Sequence, residues 1–247
     1  MKYKIILAVN LLFASLNAQA SDWDLLPGAA KDIGLGADGS VWVIGTSRES
    51  GGYTIHGWDK DKNGWYKVVG GAVRIDVEPN GTPWVVNSLG NIYRWDGRRW
   101  EQKPGAAKDI GIGGDGSIWV IGTGAVSGGY GIHKWNGSGW DKVKGGALRI
   151  DVDSQGTPWV VNSSGNIYRR NGSSWQQMPG AANDIGIGGN TVWVIGSDST
   201  SGGYGIHKWV ENENSWLTVS GGATQVSAES SGRPWVVNSS GSIFRRK

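Results

Sequence analysis

The sequence predicts an all-β fold, a six-bladed β-propeller of four-stranded antiparallel blades. Three observations predict it. A Trp opens each of six units, at Trp23, Trp65, Trp100, Trp140, Trp175 and Trp216, in steps of 42, 35, 40, 35 and 41 residues. Within each unit, short β-branched or alternating runs are separated by Gly, Asn and Ser turn signals. No segment carries the 3.6-residue period of an amphipathic helix. Units of this length, repeated without helices, have the pattern of propeller blades.

Long and short units alternate. The short ones share "GTPWVVNSxGNIYR" at 81–94 and 156–169, with a diverged copy "GRPWVVNSSGSIFR" at 232–245. The long ones share "DIGxG…VIG…SGGYxIHxW", so a two-unit block occurs three times and pseudo-threefold symmetry is expected. In the second short unit, strands are expected at 149–153, 157–162, 166–170 and 175–178. The last unit ends in "SIFRRK", one strand short, while "SDWDLLPG" near the other end supplies an outer strand. Joining the two closes the ring and leaves no sheet edge exposed. Six second-strand residues, Trp42, Trp84, Trp119, Trp159, Trp193 and Trp235, are expected to fill the space between neighbouring sheets.

Residues 1–20 stand apart. Lys2 and Lys4 precede an apolar run from Ile5 to Phe13, and Ala18-Gln19-Ala20 closes the segment. That is the layout of a secretory signal peptide cut before Ser21, leaving one propeller domain over 21–247. The expected location is secreted or periplasmic, without membrane insertion, since the apolar run is too short to span a bilayer. There is no cysteine, which excludes disulfides and thiolate metal sites. Without Lys2 and Lys4 the charged residues number 22 basic against 21 acidic. With no basic run among them, nucleic acid is not an expected partner.

The candidate site is the segment that the long units repeat, "SGGYTIHGW" at 50–58 and "SGGYGIHKW" at 127–135 and 201–209, which holds all three histidines. The insertions at 46–52, 123–129 and 197–203 are expected on one face of alternate blades. The candidate carbohydrate-binding residues are Tyr53, His56 and Trp58, then Tyr130, His133 and Trp135, then Tyr204, His207 and Trp209. A pyranose has an apolar face that stacks on an aromatic ring and a rim of hydroxyls that need short polar partners. A neutral imidazole donates and accepts as a hydroxyl does, and glycines let backbone groups approach closely. The plainer reading has the histidines bonding to backbone and the third-strand tryptophans packing between sheets. Along a strand, His133 and Trp135 share a side and Tyr130 takes the other.

Other chemistry fits less well. Three histidines suggest a trigonal metal site, but on third strands they lie too far apart to share an ion. "DKDKNG" at 59–64 imitates a calcium loop, yet the closing glutamate would fall at Gly70, so a charged turn is expected. No metal and no cofactor is expected. Catalysis needs one asymmetric constellation, and nearly every polar residue here has copies. The acids expected in the channel, Asp76 and Asp151, have Ser227 as their third copy, so no enzyme is expected.

Units such as "WQQMPGAANDIGIG" and "GALRIDVDSQGTPWVVNSSGNIYRR" resemble tectonin repeats, a family that includes tachylectin-like and fish-egg-lectin-like proteins. The resemblance covers all six units, although the long "SGGYxIHxW" loop is not part of the minimal repeat. It implies a six-bladed propeller that binds cell-surface glycans such as lipopolysaccharide or O-methylated sugars. The expected protein is a multivalent lectin, a monomer with several weak sites that act together. The other reading is an exported protein–protein interaction propeller without sugar binding.

Overall fold

The computed structural model describes residues 22–247, so the expected signal peptide lies outside the described residues. The described residues form twenty-one strands and one 3-10 turn, Glu211–Glu213. The strands make three sheets of seven. In the first, the order is Gln225–Ala228, Pro234–Val237, Ser242–Arg246, Trp23–Leu35, Val41–Glu49, Gly52–Asp59 and Gly64–Ala72. The second runs Trp140–Ala147, Gly129–Trp135, Ile118–Val126, Trp100–Ile112, Asn91–Trp95, Pro83–Val86 and Arg74–Val77. The third runs Arg149–Val152, Pro158–Val161, Asn166–Asn171, Ser174–Gly188, Thr191–Thr200, Gly203–Val210 and Ser215–Ala223.

The middle strand of each sheet changes partner halfway along. Trp23–Leu35 pairs with Ser242–Arg246 through Trp23 to Ala29, then with Val41–Glu49 through Ala30 to Leu35. Trp100–Ile112 and Ser174–Gly188 do the same. The sequence predicts a short strand at 175–178; the structure continues it to Gly188. Pro179 and Gly180 explain the difference, because Pro removes a ladder donor and Gly180, at φ +83°, bends the backbone without ending it. The four-residue "PWVV" strands open on Pro, where a missing N–H costs least, and are buried throughout. Trp23↔Arg246 and Leu25↔Phe244 join the two ends of the described chain as neighbouring strands.

Six innermost segments, 30–35, 74–77, 107–112, 149–152, 182–188 and 225–228, touch one another in cyclic order around an axis. A narrow channel between them takes two residues from each. Five buried carboxylates stitch the circle by accepting a backbone N–H from the next segment. Asp32 accepts from Ile75 at 2.8 Å, Asp76 from Ile112 at 2.6 Å and Asp109 from Ile150 at 2.9 Å. Asp151 accepts from Ile187 at 2.5 Å and Asp184 from Val226 at 2.9 Å. Ser227 stands at the sixth place. Arg74 bridges Asp32 and Asp109 at 3.3 Å each, and Arg149 meets Asp184 at 3.3 Å.

At the periphery a second circle runs head to tail. Each outer-strand indole donates to a carbonyl of the preceding outer strand: Trp65 to Pro27, Trp100 to Val69, Trp140 to Pro104, Trp175 to Lys144 and Trp216 to Pro179, all at 2.7 Å. Trp23 closes the circle on Ser220 at 2.8 Å. Each acceptor precedes a glycine in the left-handed region, such as Gly105 at φ +86°, where a Cβ would stand 3.0 Å from Trp140 Cδ1. Of these six, Trp23 is the one inside a core cluster, 6% exposed.

Trp23→Phe, which keeps most of the apolar area and loses the bond, should cost about 1–2 kcal/mol. Trp23→Ala should cost about 3–5 kcal/mol. Both are read from the urea midpoint at unchanged slope.

The channel acids set a pH dependence. Burial pushes Asp32 up to about 6 against the pull of Arg74, and pushes Asp184 up to about 7. Between an unfolded carboxyl value near 4 and these values the folded chain binds more protons than the unfolded one. Their stabilising contribution is therefore complete below about pH 4 and is lost as pH rises through 6 and 7. Glu78 and Glu229 act oppositely. Although burial opposes it, hydrogen bonds from Arg94 and Trp84, and from Arg233 and Trp235, hold them below 4.5. Their contribution is lost as pH falls through those lowered values. Melting should be several degrees higher near pH 5 than at pH 8, and Asp184→Asn should shrink that difference, as calorimetry would show.

Candidate functional site

The three repeated segments form extended hairpins. Glu49↔Gly52 and Arg48↔Tyr53 are paired, which leaves Ser50 and Gly51 at the tip. Each tip docks on the neighbouring sheet's "NS" turn: Ser88 donates to the Gly51 carbonyl at 2.8 Å, Ser163 to Gly128 at 2.9 Å and Ser239 to Gly202 at 2.8 Å. The tip backbone also lies on the outer strand's glycine pair. A Cβ at Gly71, Gly146 or Gly222 would overlap the carbonyl of Ser50, Ser127 or Ser201. The shared "SGG" and "GGA" spellings are thus two halves of one backbone contact.

The side chains of each segment separate. Tyr53 packs with Trp42, Ile44 and Ile55, Tyr130 with Trp119 and Ile132, and Tyr204 with Trp193 and Ile206. Lys31 Nζ stands 4.6 Å from the Tyr53 ring centroid and Lys108 Nζ 4.4 Å from that of Tyr130. The matching residue at the third hairpin is Asn183, whose amide donates to the Gly196 carbonyl at 2.8 Å.

The tryptophans pack within their own seven-stranded sheets, between the two halves that flank the middle strand. Trp58 meets Trp65 at 4.8 Å and Trp235 at 6.4 Å between centroids. Trp135 meets Trp140 and Trp84, and Trp209 meets Trp216 and Trp159, in the same way. Edge-to-face and tilted contacts of this kind favour packing.

The histidines lie over glycines. A Cβ at Gly45 or Gly122 would come within about 3.2 Å of the imidazole of His56 or His133. His207 covers Gly196 and Gly205, with Nδ1 3.1 Å from Thr218 Oγ1. Burial pulls all three below the ordinary imidazole value, helped at His56 and His133 by Lys67 and Lys142 and opposed at His207 by Asp198. They are neutral at neutral pH. Neither of the two clefts beside the hairpin tips gathers a Tyr, a His and a Trp.

Two clefts open beside the docked tips. One, of about 330 Å³, is lined by Ser50, Gly51, Asn87, Leu89, Tyr93 and Trp100 among others. Its counterpart, of about 480 Å³, is lined by Ser201, Gly202, Asn238, Phe244, Trp23 and Leu25 among others. None of the nine residues expected from the sequence lines either cleft. Asn87 Oδ1 accepts from the Leu89 and Asn91 amides, and Asn238 Oδ1 from those of Ser240 and Ser242. Since that oxygen is fixed by two backbone donors, the amide nitrogen is the group left for the cleft.

Tyr93, Phe244 and the Asn pair were readable as the repeated "WVVNSxGxIY/F", but the pattern alone marks them as turn and core. Asp32, Asp109 and Asp184 of the channel carried a signal too, the repeated "DIG". Asp59, in the calcium-like "DKDKNG", accepts from the Asp61 and Lys62 amides and pairs with the Lys62 ammonium, a charged turn. Among the described residues no group of three or more His, Cys, Asp or Glu is placed to hold a metal ion.

The profile of the Tectonin domain family matches residues 43–127 and 147–247. Tectonin-2 of Physarum polycephalum is 39% identical over 64 residues, 26% of this chain and 16% of that protein. Tectonin-1 of the same organism is 41% identical over 63 residues, 25% of this chain and 26% of that protein. The matched segments thus span at most about a quarter of these relatives.

Among solved structures, YCF48 bound to D1 peptide has a TM-score of 0.59 at 13% identity, covering 92% of this chain and 97% of that one. The WD40 β-propeller domain of Doa1 has a TM-score of 0.59 at 12% identity, with the same coverages. At such identities the likeness shows the propeller fold alone.

Proposed function

The chain belongs to the Tectonin domain family, and on that footing we propose that it is a six-bladed, pseudo-threefold propeller that binds saccharides beside its three hairpins. Each long middle strand then serves as the outer strand of one blade and the inner strand of the next. The protein is exported and its targets are cell-surface glycans, lipopolysaccharide or O-methylated sugars among them.

One observation carries the reading. The same cleft recurs at two equivalent sheet boundaries, each with an aromatic pair, an Asn amide and glycine backbone. The third boundary has the matching residues Ser127, Gly128, Asn162, Tyr168 and Trp175. An apolar wall accepts the C–H face of a sugar ring, while the Asn amide and the carbonyls reach its hydroxyls. Each cleft is open and shallow, so single sites are weak and a repetitive surface is held by several at once. In this reading Tyr53, Tyr130, Tyr204 and their His and Trp companions support the hairpins that form the cleft walls.

A glycan array should give saccharide binding, and calorimetry on the best ligand should give more than one site per chain. Tyr93→Ala should lower that number by one, with the fold checked by circular dichroism. Capture of a protein partner with no glycan signal would favour the scaffold reading and overturn this one.

A further inference from the structure

A third cavity, of about 430 Å³, opens between the Asn87–Ser88 turn on which the first hairpin docks and Thr123 of the second hairpin. Three cations line it, Lys31, Arg74 and Lys108, together with Asn87, Ser88 and Thr123, and no carboxylate does. Arg74 is already paired with Asp32 and Asp109 beneath the cavity floor and donates to the Gln225 side-chain amide oxygen at 2.9 Å. Lys31 and Lys108 are exposed and make no hydrogen bond or ion pair among the described residues; each ammonium stands over a tyrosine ring. A cavity of this volume is about 9 Å across, close to a Debye length at physiological salt, so both ammonium charges act on whatever enters it.

The pseudo-threefold repeat supplies two internal comparisons. The positions of Lys31, Arg74 and Lys108 are taken at the next boundary by Lys108, Arg149 and Asn183, and at the last by Asn183, Gln225 and Lys31. Formal charge at the three equivalent places therefore falls from three to two to one. The backbone frame repeats while the charge does not, which picks out one boundary.

We propose that the cavity lined by Lys31, Arg74 and Lys108 is a single binding site for a compact oxyanion, a phosphate or carboxylate. The two lysines neutralise the anion. Arg74, held in place by its two aspartates, forms a fixed cationic wall, and Ser88 and Thr123 of the lining can each offer a hydroxyl as a short donor. The site borders the first aromatic cleft, with Asn87 and Leu89 lining both, but it differs from the clefts in charge and in count, one per chain instead of three. It gives an otherwise repetitive molecule one distinct boundary.

The test is calorimetric titration of the protein at low ionic strength with inorganic phosphate, then with glucose 6-phosphate, glucuronate and glucose. Phosphate should saturate one site per chain, and binding should weaken as salt is raised. Lys31→Asn with Lys108→Asn copies the residue that the third unit already carries at an exposed position, so the fold should survive. The double variant should bind phosphate at least tenfold more weakly.

Uptake of the two sugar anions but not of glucose would identify the source as an acidic saccharide. Uptake of phosphate alone would identify it as the free ion. No saturable uptake of any of the three anions, or equal affinity in the double variant, would overturn the site. Because the first probe contains no sugar, that failure would leave the cleft reading untouched.

Discussion

The structure depends on six indole N–H groups each reaching one carbonyl on the neighbouring outer strand. Such a bond is modest by itself, about 1 kcal/mol. Its consequence is geometric. The acceptor must turn its carbonyl toward the next outer strand, and the residue after it takes a positive φ to do so. A side chain there would press on the indole, so the place belongs to glycine. Because the bonds run head to tail, every sheet boundary is held by the same Trp–Gly pair. The circle closes where the first sheet, which joins the two ends of the described chain, meets the third.

Inside that circle the buried aspartates do comparable work with a different cost. Each accepts an N–H from the adjacent segment, which fixes spacing around the axis, yet five carboxyls in one narrow channel repel one another and lose hydration. Arg74 and Arg149 offset part of this penalty. Raised proton affinity takes up more. The third block relaxes the arrangement with Gln225 and Ser227 at the corresponding places. Indole bonds at the rim and carboxylate bonds at the axis thus hold the same boundaries at two radii.

The hairpins show why a repeated spelling need not mark a ligand contact. Their glycines let one backbone lie against another, their histidines cover glycines on the adjacent strand, and their tryptophans pack between the two halves of their own sheet. Such constraints keep three copies alike whatever the molecule binds. The places where the copies differ, at Lys31, Lys108 and Asn183 or at Tyr93, Tyr168 and Phe244, are free of that requirement. Surface chemistry varies there while the frame stays constant.

Strand positions, the alternation of long and short units and the pairing of the two terminal segments were legible in the sequence. They rest on local rules, namely two-residue alternation, turn glycines and a missing strand at one end matched by a spare at the other. Continuity of the long middle strands was not legible, because Pro-Gly reads locally as a stop while the ladder on either side carries the chain through it. Nor was the cleft lining, since Gly51 and Tyr93, or Gly202 and Phe244, come from different sheets that only the folded packing brings together. A linear pattern records which residues repeat. Which of them face the same space is decided by how one sheet turns against the next, and that angle is set by contacts between residues far apart in the chain.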